Sequence, residues 1–325
     1  MAMIECEGWK YEFNRKDARK AFTVIPPFEL KRPKTFYKYY ALSEHSVDAL
    51  LKKYLYASHP YQLNDVFDCG SSLIRFTKQS QRFLLGSYYK AIAEYVKKDE
   101  SLLENCVHEV FNWRNFSKLG IVSLAGINTQ NYYWAHYAEN KGFCVEFDLE
   151  NLPFDSYGPF PVQYYDVTQP MIISIPHIPD AVLLMTNVKG TEWSVEKEWR
   201  LLCATSDCEQ TALELYDLDP MVAKSFRSNP ILRFRERKFY YGNSTYIKSV
   251  TLGPRFFDGF DFELEKGIIR VNKCGMSLQY KVVDNVVKNG INLKYLKSSV
   301  PGKFVDNPVV IEDMTSDTIC LRIEE

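Results

Sequence analysis

Hydrophobic and polar positions along this chain follow two periods. Phe36-Tyr37-Lys38-Tyr39-Tyr40 is a run of strand formers holding one lysine, and it predicts a strand. Behind Ser43 as N-cap, Val47, Leu50, Leu51 and Tyr54 fall at i, i+3, i+4 and i+7, the stripe of an amphipathic helix. Leu55–Ser58 predicts a short strand and His59–Asp68 a polar loop. Residues 75–118 lack proline and hold one glycine, Gly86; they read as two helices broken near 98–100. Ile121–Leu124 predicts a buried strand. A helix capped by Asn128 or Thr129 then carries Trp134 and Tyr137 and ends ahead of Gly142. Phe143–Asp148 and Val162–Val167 predict strands, and Ala181–Val188 a short helix or a connection. Thr245–Leu252, Ile268–Val271 and Leu278–Val283 read as further strands or short mixed elements.

Strands and helices in this uneven order predict an α+β fold rather than a regular βαβ wind. The expectation is a single domain over 35–325, with a mixed or split β-sheet packed by helices. Residues 1–34, with Pro26, Pro27 and Pro33, read as an N-terminal extension over the core. The chain has 325 residues, with 40 Lys+Arg against 41 Asp+Glu, so its net charge is -1. Its overall field therefore favours neither nucleic acid nor an anionic membrane, and such binding would need a local patch. No run of apolar residues is long enough to span a bilayer, and the acidic start is unlike a signal peptide. Eight scattered cysteines without C-x-x-C predict reduced thiols, a cytoplasmic protein and no metal site. The glycine and histidine signatures of P-loop, dinucleotide-binding, zinc-protease and α/β-hydrolase folds are missing.

Candidate chemistry concentrates in T-E-W-S-V-E-K-E-W-R, residues 191–200. On a strand, Glu196 and Glu198 would share one face, with Lys197 and Trp199 on the other. Adjacent carboxylates repel, which raises the pKa of one and suits acid/base or cation-stabilising work. The simpler reading is an edge strand whose glutamates pair with Arg200 and nearby lysines. Asn64, Asp65 and Asp68 form either a self-bonded turn or the polar rim of a cleft that touches a ribose or a cation. Trp134 and Tyr137 are core aromatics or the wall of a pocket for a flat ring. Arg227, Arg233, Arg235, Arg237 and Lys238 alternate with aromatics through Tyr241. Such a patch can hold single-stranded nucleic acid, or be a solvated element with its rings turned inward.

Several motifs in one order carry a resemblance. F-Y-K-Y-Y at 36–40, L-Y-A-S-H-P-Y-Q-L-N-D-V-F-D at 55–68 and V-S-L-A at 122–125 are three of them. Y-W-A-H-Y-A-E-N-K-G-F-C-V-E-F-D at 133–148 and W-S-V-E-K-E-W-R at 193–200 complete the set. Together, over about 35–255, they resemble the bacterial family known as domain of unknown function 2971. Val66 stands where that family has proline. A second likeness is to the ADP-ribosyltransferase fold. The strand at 36–40, the helix, a short strand ending in serine, and Glu196-x-Glu198 are similar to elements of those enzymes.

That second resemblance implies cleavage of the nicotinamide–ribose bond of NAD. Glu198 would bond the ribose and steady the sugar cation, Glu196 would orient the acceptor, and Tyr39 or Tyr137 would stack on a ring. Ser123 and Lys38 would help bind NAD, as would Asn64 and Asp65 in the polar loop. Lys38 replaces the His or Arg of those enzymes, exchanging a fork or ring for a point charge. The kind of family suggests a toxin or phage-defence effector. There are two alternatives. One is a nucleic-acid-binding or protein-interaction module built on the basic-aromatic patch 227–241. The other is a metal-dependent nuclease using Asp65, Asp68 and Glu196.

Overall fold

The aromatic run Phe36–Tyr40 forms a strand at the edge of an eight-stranded sheet. It pairs antiparallel with Phe143–Phe147, placing Lys38 opposite Val145. The sheet continues through Ile247–Leu252, Asn292–Val300, Lys303–Met314, Thr318–Ile323, Ile268–Asn272 and Asp261–Glu265. Ile247–Leu252 and Asn292–Val300 run parallel and the other pairs antiparallel, so the sheet is mixed. The parallel pair needs a long crossover, and the helix Leu278–Lys288 lies in it. Val282, Val283 and Val286 of that helix are buried in the main core with Val250, Leu252 and Leu293. The computed structural model describes residues 3–14, 21–65, 67–96, 99–204, 237–300 and 302–324, with the backbone of 212–213 and 234–235.

A second sheet has three antiparallel strands, Leu119–Leu124, Trp199–Ala204 and Ser156–Pro161, with Trp199–Ala204 in the centre. One stitch joins the two sheets. Tyr37 and Ala125 exchange both backbone hydrogen bonds, at 2.9 and 2.8 Å. Alternation along the central strand sends its side chains two ways. Trp199, Leu201 and Cys203 enter the main core, while Leu202 enters a second core. That second core is built on the helices Lys78–Leu85, Glu100–Phe116 and Ile178–Asn187. The N-terminal strands Ile4–Cys6, Trp9–Phe13 and Phe22–Ile25 form a small sheet, and Ile4, Trp9 and Tyr11 are buried in the same core. The described residues thus form a mixed α/β structure with several sheets and seven α-helices.

Several elements differ from the sequence reading, each for a local reason. Leu278–Val283 is helical, because its valines belong to a longer stripe capped by Ser277. Val162–Val167 keeps a two-residue strand, Gln163–Tyr164, paired in parallel with Val188–Lys189. The region 75–118 holds three α-helices, since Gly86, at φ 56°, ends the first. Asp99 caps the last of them by accepting from the Ser101 and Leu102 amides. Gln130, not Asn128 or Thr129, precedes the short helix Asn131–His136. Asn128 is turned inward, where its side-chain amide donates to Asp306 at 2.8 Å and its backbone carbonyl accepts from Trp134 Nε1–H at 2.6 Å. Thr191–Glu196 is a 3-10 helix rather than part of a strand. Lys197 then takes a left-handed φ of 49°, and the strand begins only at Trp199.

Candidate functional site

The seam between the two sheets gathers charge. Glu198 and Arg200 are two apart at the head of the central strand and face the same way. Arg200 is wholly buried, and each of its five N–H donors has an acceptor. Nε donates to Glu198 Oε1 at 3.0 Å and one Nη to Glu198 Oε2 at 3.1 Å. The guanidinium also grips both oxygens of Asp68, at 2.8 and 2.5 Å, and donates to the Thr186 carbonyl at 2.8 Å. A buried guanidinium is tolerable only when satisfied in this way. The fork also fixes Glu198, which is 3% exposed. Burial pushes the Glu198 carboxyl up, but Arg200 and Lys189 outweigh it and hold the pKa at about 2. The Ser123 hydroxyl adds a hydrogen bond to Glu198, and the Glu198 amide donates to the Tyr164 hydroxyl at 2.7 Å.

Glu196 lies on the other side of the left-handed Lys197. The 3-10 turn brings it back over Lys189, whose Nζ is 2.7 Å from Glu196 Oε2 and 3.5 Å from Glu198 Oε2. Lys189 also sits 4.4 Å from the centre of the Trp193 ring, a cation–π contact. The Tyr137 hydroxyl donates to Glu196 Oε1 at 2.5 Å, and Asn64 Nδ2 donates to that hydroxyl at 3.5 Å. Burial, then repulsion by Glu198, raise the Glu196 pKa. Three carboxylates, Asp68, Glu196 and Glu198, thus share two cations in direct contact, Arg200 and Lys189. Glu196 is the surplus one. Two neighbouring carboxyls with pKa values pushed in opposite directions are the usual mark of divided acid/base roles.

Lys38 reaches the seam from the edge strand. Its Nζ is 3.5 Å from the Ser123 carbonyl oxygen. Burial lowers its pKa to about 8, with Glu198 pulling it part of the way back. Lys38, Ser123, Glu196, Glu198, Asn64 and Tyr137 therefore meet in one place, drawn from five separate segments. Tyr39 does not. It points to the opposite side of its strand, stacks on Tyr133 at 4.9 Å and donates to the Ile127 carbonyl at 2.9 Å. Asp65 joins the loop but not the carboxylates. Its Oδ1 accepts from the Phe67 amide at 2.9 Å, while Oδ2 is enclosed without a partner among the described residues. The strand expected under Glu196 is replaced by the 3-10 turn, yet both carboxylates still meet, through Lys189.

Sequence reasoning missed Lys189, Tyr133 and Tyr164. Lys189 had one signal, a single charge just after the mostly apolar stretch 181–188. The two tyrosines had none, since the chain holds 22 of them. Comparison with protein-family models, curated proteins and solved structures finds no match to this chain.

The other expectations fare unevenly. Arg237 leaves the basic patch: it is buried and donates to the Phe116 carbonyl at 3.0 Å and to the Leu119 carbonyl. It closes the end of the long helix instead. Lys238 lies 5.2 Å from the Tyr54 ring centre. Arg227 and Arg233 fall outside the described residues, as does the side chain of Arg235. Among the described residues no group of three His, Cys, Asp or Glu could hold a metal ion. Asp68 and Glu196 are already engaged by Arg200, Lys189 and Tyr137. No described helix is long and apolar enough to cross a membrane.

Proposed function

We propose that the chain is an ADP-ribosyltransferase-like enzyme that cleaves the nicotinamide–ribose bond of NAD. The observation that carries this reading is the meeting of Lys38, Ser123, Glu196 and Glu198 where two sheets are stitched edge to edge. In this reading the split sheet is of the ADP-ribosyltransferase kind, and the motif order is that of the family it resembles. Such an enzyme fits a bacterial toxin or phage-defence effector working in the cytoplasm, where NAD is found and thiols stay reduced.

The step follows from the charges. The C–N bond breaks, its electron pair leaves with the nicotinamide nitrogen, and the ribose carbon becomes an oxocarbenium-like cation. Glu198, ionised across the working pH range, stabilises that cation by its field. Its oxygens are already forked to Arg200, so it works from a fixed position and needs no reorganisation. Water or an acceptor hydroxyl then attacks the carbon and gives up its proton. Glu196, with its raised pKa, receives that proton. Its carboxylate has two partners rather than four, so it keeps acceptor capacity that Glu198 lacks.

The test is nicotinamide release by wild type beside Glu196→Gln and Ser123→Ala, with thermal melts as a folding control. Glu196→Gln is expected to fold and to lose roughly 100-fold in turnover, the scale of a general base. Wild-type turnover should fall as pH drops through the raised Glu196 pKa, because the base works deprotonated. A wild type that folds and releases no nicotinamide ends this reading.

A further inference from the structure

A cavity of about 220 Å³ lies between the turn of the first β-hairpin and the last turn of the helix Ile178–Asn187. Leu73, Leu184 and Val188 form its buried apolar floor. Tyr165 and Met171 stand half-buried in its wall, and Glu5 and Glu7 are exposed at its mouth. None of Lys38, Ser123, Glu196 and Glu198 lines this space. Strand alternation turns Lys189, the residue after Val188, away from it and onto Glu196, at 2.7 Å.

Size, floor and charge describe what would fill it. An apolar cavity of roughly 150 Å³ already holds a benzene-sized molecule, so this one takes a ring with a short linker. The Met171 thioether in the wall favours an aromatic ring. The lining holds two acidic side chains and no lysine, arginine or histidine. Neither carboxylate has an ion-pair partner among the described residues, and Lys10, opposite Glu5 in the hairpin register, forms none with it. An anion would be repelled at this mouth. An ammonium would be drawn to it and to the face of the Tyr165 ring.

We propose that this cavity binds an arylalkyl ammonium, with its ring on the apolar floor and its charge at Glu5 and Glu7. The site is separate from the seam, and it stands whether or not the chain cleaves NAD.

Four probes separate the contributions. They are 2-phenylethylamine; 2-phenylethanol, its uncharged counterpart; 3-phenylpropionate, an anionic counterpart; and methylamine, the ammonium alone. Each is titrated calorimetrically into the full chain at low ionic strength. We expect 2-phenylethylamine to bind more tightly than each of the others, by about fivefold or more. Glu5→Gln with Glu7→Gln, both at exposed positions, should fold and bring the amine down to the affinity of the alcohol. Met171→Trp should fill the cavity and abolish binding of the amine and the alcohol alike. Glu196→Gln should leave the affinity for the amine unchanged, which sets the cavity apart from the carboxylates of the seam. Equal affinity for amine, alcohol and carboxylate overturns the proposal, as does a double glutamine variant that keeps the wild-type preference. So does a folded Met171→Trp that binds as wild type does, or a wild type that binds no probe at millimolar concentration. Amine binding that is lost with Glu196→Gln and kept in the double glutamine variant also overturns it, by moving the ligand to the seam. If Met171→Trp fails to fold, the glutamine pair still decides.

Discussion

At the scale of single residues, the two glutamates part company. Glu198 neutralises a buried guanidinium, and breaking such a pair costs about 3–5 kcal/mol. Glu198→Gln is therefore predicted to lower the urea midpoint sharply. That makes it a poor probe of chemistry. Glu196 is different. Its pKa is raised in the folded chain, so its ionisation costs stability as pH rises above 4.5. Glu196→Gln leaves the buried Lys189 with Glu198 as a second carboxylate, 3.5 Å away, so it should cost less stability at pH 7 than Glu198→Gln does. If urea melts show Glu196→Gln as the more damaging change, the charge count is wrong.

Lys38 gives a pH signature of its own. Its folded pKa of about 8 lies below the ordinary 10.5, so between those values the unfolded chain binds more protons. Stability from this group is lacking below pH 8 and rises as pH climbs towards 10.5. Lys38→Met should erase that rise and add roughly 1–3 kcal/mol near neutrality. Denaturant melts from pH 7 to 10 check both. The carboxylates were legible as a spacing of two in the sequence. So was Arg200, as the partner of Glu198; Lys189, and Asp68 on the other side of Arg200, were not, because other segments bring them in.

At the scale of elements, local patterns were readable and breaks in them were not. The strand Phe36–Tyr40 and the helix Glu44–Lys52 stand where β-formers and the apolar stripe put them. The Thr191–Glu196 turn escaped because it depends on a left-handed non-glycine residue, Lys197, which no periodicity announces. Lys197→Gly should be tolerated there, since glycine adopts that backbone without strain. Gly142 is the opposite case. A Cβ at this position would run into the Tyr40 carbonyl oxygen and sit 3.0 Å from that of Ala138. Gly142→Ala should therefore unsettle the edge strand beside Lys38 and cost on the order of 1–3 kcal/mol. Its melt, set beside that of Lys197→Gly, orders the two.

At the scale of the whole molecule, α+β character and a mixed, split sheet were foreseeable from the order of strands and helices. The stitch between the sheets was not, because it rests on two backbone hydrogen bonds between residues 88 apart (Tyr37 and Ala125). The competing nucleic-acid reading belongs to this scale too. Phosphate binding would release counterions, so affinity would fall steeply with salt. Arg233→Ala with Arg235→Ala would then weaken binding and flatten the slope, whereas Arg237→Ala would act through the fold. Oligonucleotide titrations at several salt concentrations decide it, and absence of binding at low salt removes that alternative.

The most direct measurement is proton NMR of NAD incubated with the purified, folded chain, following the free nicotinamide ring resonances over time. The transferase account predicts that they grow in proportion to protein concentration. They should be nearly lost with Glu196→Gln, measured at a temperature where its melt shows it folded. If NAD persists intact beside folded wild-type protein, with water and hydroxyl acceptors supplied, the carboxylates of the seam serve only to hold two sheets together.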